Sequence, residues 1–234
     1  MCCKGMYHWH ASKIYFNSRP RNIPGCPSMN TDLSPRVAPM AAGDDALAAG
    51  FHAVVAARRS IYAYEQKPVP RRLVEAAIAD AIQAPNHHRT EPWRFHVFAG
   101  EGRARLAAAY EAAAARVNRD VAKAIQRAYD APVMIVAVCM PAMGNPKVSE
   151  AEERYAVAAA VQTLMLSLAA SGVDTLLTTG ELAESPEVRA LLGLEGSDAR
   201  LMGVINVGYR NPERPARPRP PMNPAAFTTW CEAS

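Results

Sequence analysis

Several things are missing from this chain of 234 residues, and each absence removes a class of function. No apolar run approaches the ~20 residues of a bilayer-spanning helix, and the first stretch lacks the continuous apolar segment of a secretory signal, so no membrane or secretory role is expected. Cysteine is sparse. Cys2, Cys3, Cys26, Cys139 and Cys231 are odd in number and form no CxxC pair, which excludes a disulfide framework and points to a reducing compartment, the cytoplasm. Charge of one sign is nearly balanced: 26 Lys and Arg face 22 Asp and Glu, a net +4 too mild for nucleic acid to be the leading partner but compatible with a local anion such as a phosphate. Aromatic residues are only 7%, and none is stacked between the arginines of the C-terminal tail, which argues against a binding protein that holds RNA. HExxH, GxSxG, P-loop and paired Cys/His nucleophile patterns are all absent. A chain with no side-chain nucleophile usually borrows its chemistry from a cofactor.

What is present is an ordinary globular composition, 50% apolar and 21% charged, in a length that fits one large domain or two small ones. Residues 1–45 mix prolines with Asn, Ser and Arg without periodicity, and read as a disordered extension or as an over-called start, with Met29 or Met40 the true beginning. Cys2, Cys3, His8 and His10 lack a closed four-ligand spacing, so no metal site is assigned to them. From Ala46 the sequence turns periodic. Leu47, Phe51, Val54 and Val55 share one helical face; Pro70 opens a second helix buried through Leu73, Val74, Ala77, Ile78, Ala81 and Ile82, and Pro85 stops it. Trp93 to Phe98 alternates as a strand, Gly102 to Ala128 reads as one long helix or two, and Val133 to Met140 is a strand buried on both faces.

The segment from Glu150 to Ser171 is apolar almost all round beyond Tyr155, so it needs cover on every side, which dimerisation supplies more easily than one chain of this size. Gly172 caps it, Leu176 and Leu177 lead into a turn, and Ser185-Pro186-Glu187 opens a short helix closed at Gly193. Leu201 to Val207 is a last buried strand before a tail in which Arg210, Arg214, Arg217 and Arg219 alternate with prolines. The sum is one α+β layer domain over residues 46–230, with no internal repeat.

Three motifs bear on chemistry. Gly100-Glu101-Gly102 lies between a strand and a helix, but Arg105 occupies the third glycine position of a dinucleotide fingerprint, so it reads as a plain turn. His87-His88-Arg89-Thr90-Glu91 lies in a loop between Pro85 and Pro92 and does not close a zinc site; it is a polar loop or one whose donors face an organic cofactor. Arg58-Arg59-Ser60 ends the first helix, as an ordinary charged last turn or as a grip on a phosphate.

In combination and order these segments resemble the nitroreductase family of flavoproteins. Arg58-Arg59-Ser60-Ile61, Val69-Pro70, the stretch from Ala84-Pro85-Asn86-His87 to Glu91-Pro92-Trp93-Arg94-Phe95, Ala131-Pro132-Val133, the Ala-rich helix near Glu152, Thr178-Thr179-Gly180 and the strand from Arg200 to Gly208 all take part. The branch resembled is that of small single-domain NAD(P)H nitroreductases. The resemblance implies a central mixed, mostly antiparallel sheet flanked by helices, in a domain-swapped type of homodimer with FMN in a cleft between the subunits. It also implies that Arg58, Arg59, Ser60 and Arg219 hold the ribityl phosphate, that Asn86 and His87 stand near the ring or ribityl chain and reach the partner's flavin, and that Thr178, Thr179 and Gly180 face the reactive edge.

Glu91 stands where many members carry Gln, and Tyr62 where many carry Arg. A carboxylate accepts from the flavin's pyrimidine N–H but cannot donate, and its charge opposes an anionic reduced flavin unless Arg89 or Arg94 compensates. The activity implied is an oxidoreductase with no catalytic side chain: NADH or NADPH passes a hydride to flavin N5 and leaves, and a small nitro-, quinone- or enone-type acceptor takes the same place, a ping-pong scheme. Oxidation or dehydrogenation of a dedicated metabolite by the same flavin is the alternative.

Overall fold

A computed structural model describes residues 45–231, all within a unit covering 34–234. The expected extension at 1–45 lies outside the described residues apart from Asp45, which opens the first helix. Ten elements follow in chain order: α1 (Asp45–Ala57), α2 (Arg71–Ala81), β1 (Trp93–Ala99), α3 (Arg103–Arg116), α4 (Val121–Arg127), β2 (Val133–Cys139), α5 (Glu150–Ala170), β3 (Asp174–Thr178), α6 (Pro186–Leu191) and β4 (Arg200–Gly208).

The four strands form one sheet in the order β1-β2-β4-β3, and every pairing is antiparallel. The expected mixed sheet is corrected accordingly: the parallel component among the described residues is a single isolated bridge between Ser60 and Thr175. β2 lies at the centre, and alternation sends its side chains to two cores. Val133, Ile135, Ala137 and Cys139 join Val157, Leu164 and Leu168 of α5 and Val74 and Ala77 of α2. Met134, Val136 and Val138 join Leu106 and Tyr110 of α3, Ala124 of α4 and Val188 of α6 on the other face. The result is a helix, sheet, helix sandwich, with the sheet buried on both sides.

Local chemistry sets the boundaries. Pro70 caps α2 with extended backbone one residue before the first helical turn. Asn118, at φ 53, ends the α3 segment, and Asp120 caps α4 through Lys123 N–H, so the Ala-rich stretch is two helices. Ser149 and Glu152 form a reciprocal capping box at the start of α5. Gly172, at φ 72, takes the left-handed position after its end.

α5 is buried on one side only within the chain. Glu153, Ala156, Val157, Ala160, Val161, Leu164, Met165 and Leu168 face inward, while Tyr155 and Ala158 are exposed. α1 buries no residue fully; Leu47, Phe51 and Val55 are exposed and Val54 is half-buried. No helix among the described residues is long and apolar enough to cross a membrane.

Candidate functional site

The clearest chemistry lies where α1 ends. Arg58 and Arg59 leave the helix half-buried, and the chain then runs beside β3, with Ser60 bridged to Thr175 and Ile61 N–H donating to Thr175 O at 3.2 Å. The tail returns to this point: Arg219 Nη2 donates to Arg58 O at 3.0 Å, and Arg59 Nη1 donates to the same carbonyl at 3.0 Å and also to Ala56 O. Two guanidiniums, those of Arg59 and Arg219, thus meet at the Arg58 carbonyl, and the Arg58 guanidinium lies close enough to feel both charges. Burial, and then the charges of Arg219 and Arg59, lower the proton affinity of Arg58 below the ordinary arginine value.

Among the described residues, none of these three cations forms an ion pair. Their neighbour Arg210 differs, since it grips Asp174 with two bonds of 2.8 and 2.7 Å and its charge is spent there. A gathered set of like charges without a carboxylate has the donor chemistry of a site for a terminal phosphate. A cleft of about 280 Å³ lies alongside, lined by Arg58, Lys67, Tyr209 and Arg210 and by the carboxylate residues Glu65 and Asp174, with Lys67 Nζ 4.5 Å above the Tyr209 ring.

The turn after β3 is the second part. Thr178 Oγ1 donates to Val204 O at 3.0 Å, Thr179 and Gly180 are exposed, and Gly180, at φ 107, needs the backbone freedom of glycine. Gly180 N–H donates to Glu184 Oε1 at a long 3.3 Å, an exposed bond. From Thr175 to Thr179 the strand advances about 13 Å, so one extended segment carries the arginine cluster at one end and this turn at the other.

The third part is the loop before β1. Asn86 Oδ1 accepts from Glu91 N–H at 3.1 Å, and His88, Arg89 and Glu91 all have left-handed backbone, at φ 54, 52 and 49. His87 is exposed and its ring meets that of His88 edge-on at 4.1 Å. Arg94 does not compensate the Glu91 carboxylate; it donates instead to the backbone carbonyls of Glu91 at 2.9 Å and Trp93 at 2.6 Å. No hydrogen bond or ion pair among the described residues links this loop to the arginine cluster or to the turn at 178–180, whereas Ser60 and Thr178 sit on or beside the same strand. No cluster of potential metal ligands occurs among the described residues.

Two further residues, in no recognisable motif, contact these parts. Glu153 is fully buried and accepts from Thr90 of the loop and from Ala142 N–H. Its signal was spacing, since it falls four residues before Val157 on the buried stripe of α5, a place where a carboxylate is out of character. Gly203, at φ 125, lies where a bulge between β2 and β4 bends the sheet, and a Cβ there would meet Thr178 O at 2.7 Å. A glycine interrupting an apolar strand is the signal for such close backbone approach.

Residues 55–209 match the sequence profile described as the nitroreductase family. The chain belongs to the nitroreductase family, a family of oxidoreductases. Within the curated relatives it is 33% identical to the protein named Putative NAD(P)H nitroreductase YdjA of Escherichia coli K12 over 130 residues, covering 54% of this chain and 70% of YdjA. To Putative NAD(P)H nitroreductase YfhC of Bacillus subtilis it is 25% identical over 173 residues, 72% of this chain and 89% of YfhC. In fold it is similar to a nitroreductase-like family protein from Bacillus cereus, with a TM-score of 0.68, 24% identity and coverage of 78% of this chain and 96% of that one. It is also similar to the FMN-dependent nitroreductase NfnB of Mycobacterium smegmatis, solved with NADPH, with a TM-score of 0.66, 22% identity and coverage of 80% and 100%.

Proposed function

We propose that the chain is an FMN-dependent oxidoreductase that uses NADH or NADPH to reduce nitro-, quinone- or enone-type acceptors by two electrons. The observation that carries this reading is the cluster of Arg58, Arg59 and Arg219, three cations with no carboxylate among them, at one end of β3 while the Thr178-Thr179-Gly180 turn stands at the other. A mononucleotide has one terminal phosphate, and the cluster offers charge-assisted hydrogen bonds for it, with the Ser60 hydroxyl beside. The turn lies where its backbone N–H groups meet the ring edge, the Gly180 N–H exchanging Glu184 for the flavin. FMN, when bound, supplies reversible two-electron chemistry between a nicotinamide and the acceptor. The protein's part is to hold the phosphate, orient the ring and leave one face open, so that donor and acceptor occupy it in turn.

The loop carrying Asn86, His87 and Glu91 serves the flavin of a second copy of the chain in a homodimer. Its lack of polar links to the other two parts within one chain supports this, as do the exposed apolar side chains of α1 and of the tail, where Phe227 is 75% and Trp230 80% exposed. Glu91 forms no ion pair among the described residues, and its carboxylate beside the flavin makes the cofactor harder to reduce than a glutamine there would. Steady-state turnover with NADH or NADPH and a nitroaromatic tests the activity. Reduction of the acceptor at the expense of the nicotinamide is the expected result; flavin-loaded protein that oxidises neither nicotinamide would favour a dedicated-metabolite oxidase or dehydrogenase instead.

A further inference from the structure

A carboxylate taken fully out of water needs partners, and Glu153, which shows no exposed surface, has hydrogen-bond donors in place of an ion pair. Thr90 Oγ1 donates to its Oε1 at 2.5 Å and Ala142 N–H to its Oε2 at 3.1 Å. Its neighbours on the same buried stripe, Ala156, Val157 and Ala160, show that the core accepts apolar residues at this depth. What the carboxylate adds is attachment. Thr90 lies inside the run in which His88, Arg89 and Glu91 are left-handed without being glycine, a backbone that persists only where its surroundings enforce it. The bond from Glu91 N–H to Asn86 Oδ1 passes that enforced shape to Asn86. Ala142 follows Met140, whose N–H donates to Pro92 O at 2.6 Å, so the carboxylate closes from α5 the junction that Met140 and Pro92 close from the sheet.

We propose that Glu153 is a positioning residue of the flavin site, its buried carboxylate setting the shape of loop 86–91 through Thr90 and thereby the placement of Asn86 and Glu91 against the flavin. The inference rests on the FMN reading above. The three variants that test it are Thr90→Val, Glu153→Leu and Glu153→Gln, each read by titration of the apoprotein with FMN and by visible circular dichroism of the bound flavin. Thr90→Val removes the donor at nearly constant volume, and Glu153→Leu strands the Thr90 hydroxyl and the Ala142 N–H; both are expected to raise the Kd for FMN about tenfold or more and to change the dichroism. Glu153→Gln is expected to stay near wild type, because a carboxamide oxygen can accept from Ala142 while its NH2 donates to Thr90 Oγ1. The Thr90 hydroxyl then turns to His87 O, 3.3 Å away.

Wild-type Kd and dichroism in both Thr90→Val and Glu153→Leu, even with a lowered melting temperature, would overturn the inference by making Glu153 merely structural. If Glu153→Leu does not fold, Thr90→Val decides alone. A Glu153→Gln variant as impaired as Thr90→Val also contradicts it. Wild-type apoprotein that takes up no FMN overturns the flavin reading and this inference with it, whereas wild-type binding matched by the variants overturns the inference only.

Discussion

At the scale of single residues, the arginines divide into those that meet a carboxylate and those that do not. Arg200 with Glu150 and Arg210 with Asp174 are closed bidentate pairs, while Arg58, Arg59 and Arg219 crowd one another. Arg58→Ala is therefore expected to weaken FMN binding by about 1.5 to 3 kcal/mol, the usual worth of a hydrogen bond to a charged group, as read by fluorescence titration. From the residues alone Arg58-Arg59-Ser60 reads as an ordinary charged last turn or as a phosphate grip, and only the resemblance pairs it with Arg219 of the tail, which the fold does bring to the Arg58 carbonyl. Glu153 was not legible in the sequence, since its neighbours Glu150, Glu152 and Arg154 make an ordinary charged helix start, and only the fold turns one of the four fully inward.

His96 is a second residue whose role needed the fold. Burial in β1, and then the Arg94 guanidinium, lower its pKa below the ordinary 6.5. Below about pH 6.5 the unfolded chain takes up a proton at this position that the folded chain resists, so stability falls as pH drops from that value towards the lowered one and is unaffected by this group above it. The slope of urea-derived stability against pH in this window should flatten in His96→Gln, and an unchanged slope would remove His96 from the account. Cys139 is also set by its surroundings, its thiol pushed up to about 11 by burial and by Glu153 and Glu150, so it should resist alkylation at neutral pH in the native protein.

At the scale of elements, periodicity and caps carried most of the fold. β2 was legible as doubly buried from an unbroken apolar run, and α5 from its length and its glycine stop. The residues alone say nothing of strand pairing; the resemblance implied a mixed, mostly antiparallel sheet, and the four described strands pair antiparallel throughout. The bulge between β2 and β4 lies against the end of β3 that leads into the 178–180 turn. There Gly203 lets Thr178 approach, and Gly203→Ala places a methyl group 2.7 Å from a backbone oxygen at a positive φ. It is expected to destabilise the chain by about 1 to 3 kcal/mol and to displace the 178–180 turn, so that both the melting temperature and FMN affinity fall. A fall in melting temperature alone would separate the turn from the flavin.

At the scale of the whole molecule, the helix that reads as apolar all round is half covered by its own chain. Small residues such as Ala158 on its outer side stay exposed, as do the faces of α1 and the tail, and in the proposed homodimer a second copy covers them. Phe51, 57% exposed, touches little in its own chain, so Phe51→Glu tests association without disturbing the fold. A charge placed unpaired in an interface costs on the order of 3 to 5 kcal/mol, enough to shift the variant to monomer in light scattering while its helical circular dichroism is kept. The proposed shared sites predict that flavin content falls with the dimer, and a monomeric variant that keeps its flavin would contradict the shared geometry.

The flavin reading depends on one claim, that the arginine cluster holds the phosphate of a flavin mononucleotide, and comparative binding of FMN and riboflavin to the apoprotein tests it most directly. The two ligands differ only in that phosphate. FMN is expected to bind at least about a hundredfold more tightly, the sum of two charge-assisted bonds, with the difference shrinking in Arg58→Ala. Equal affinity for the two, or no uptake of either, would contradict the account.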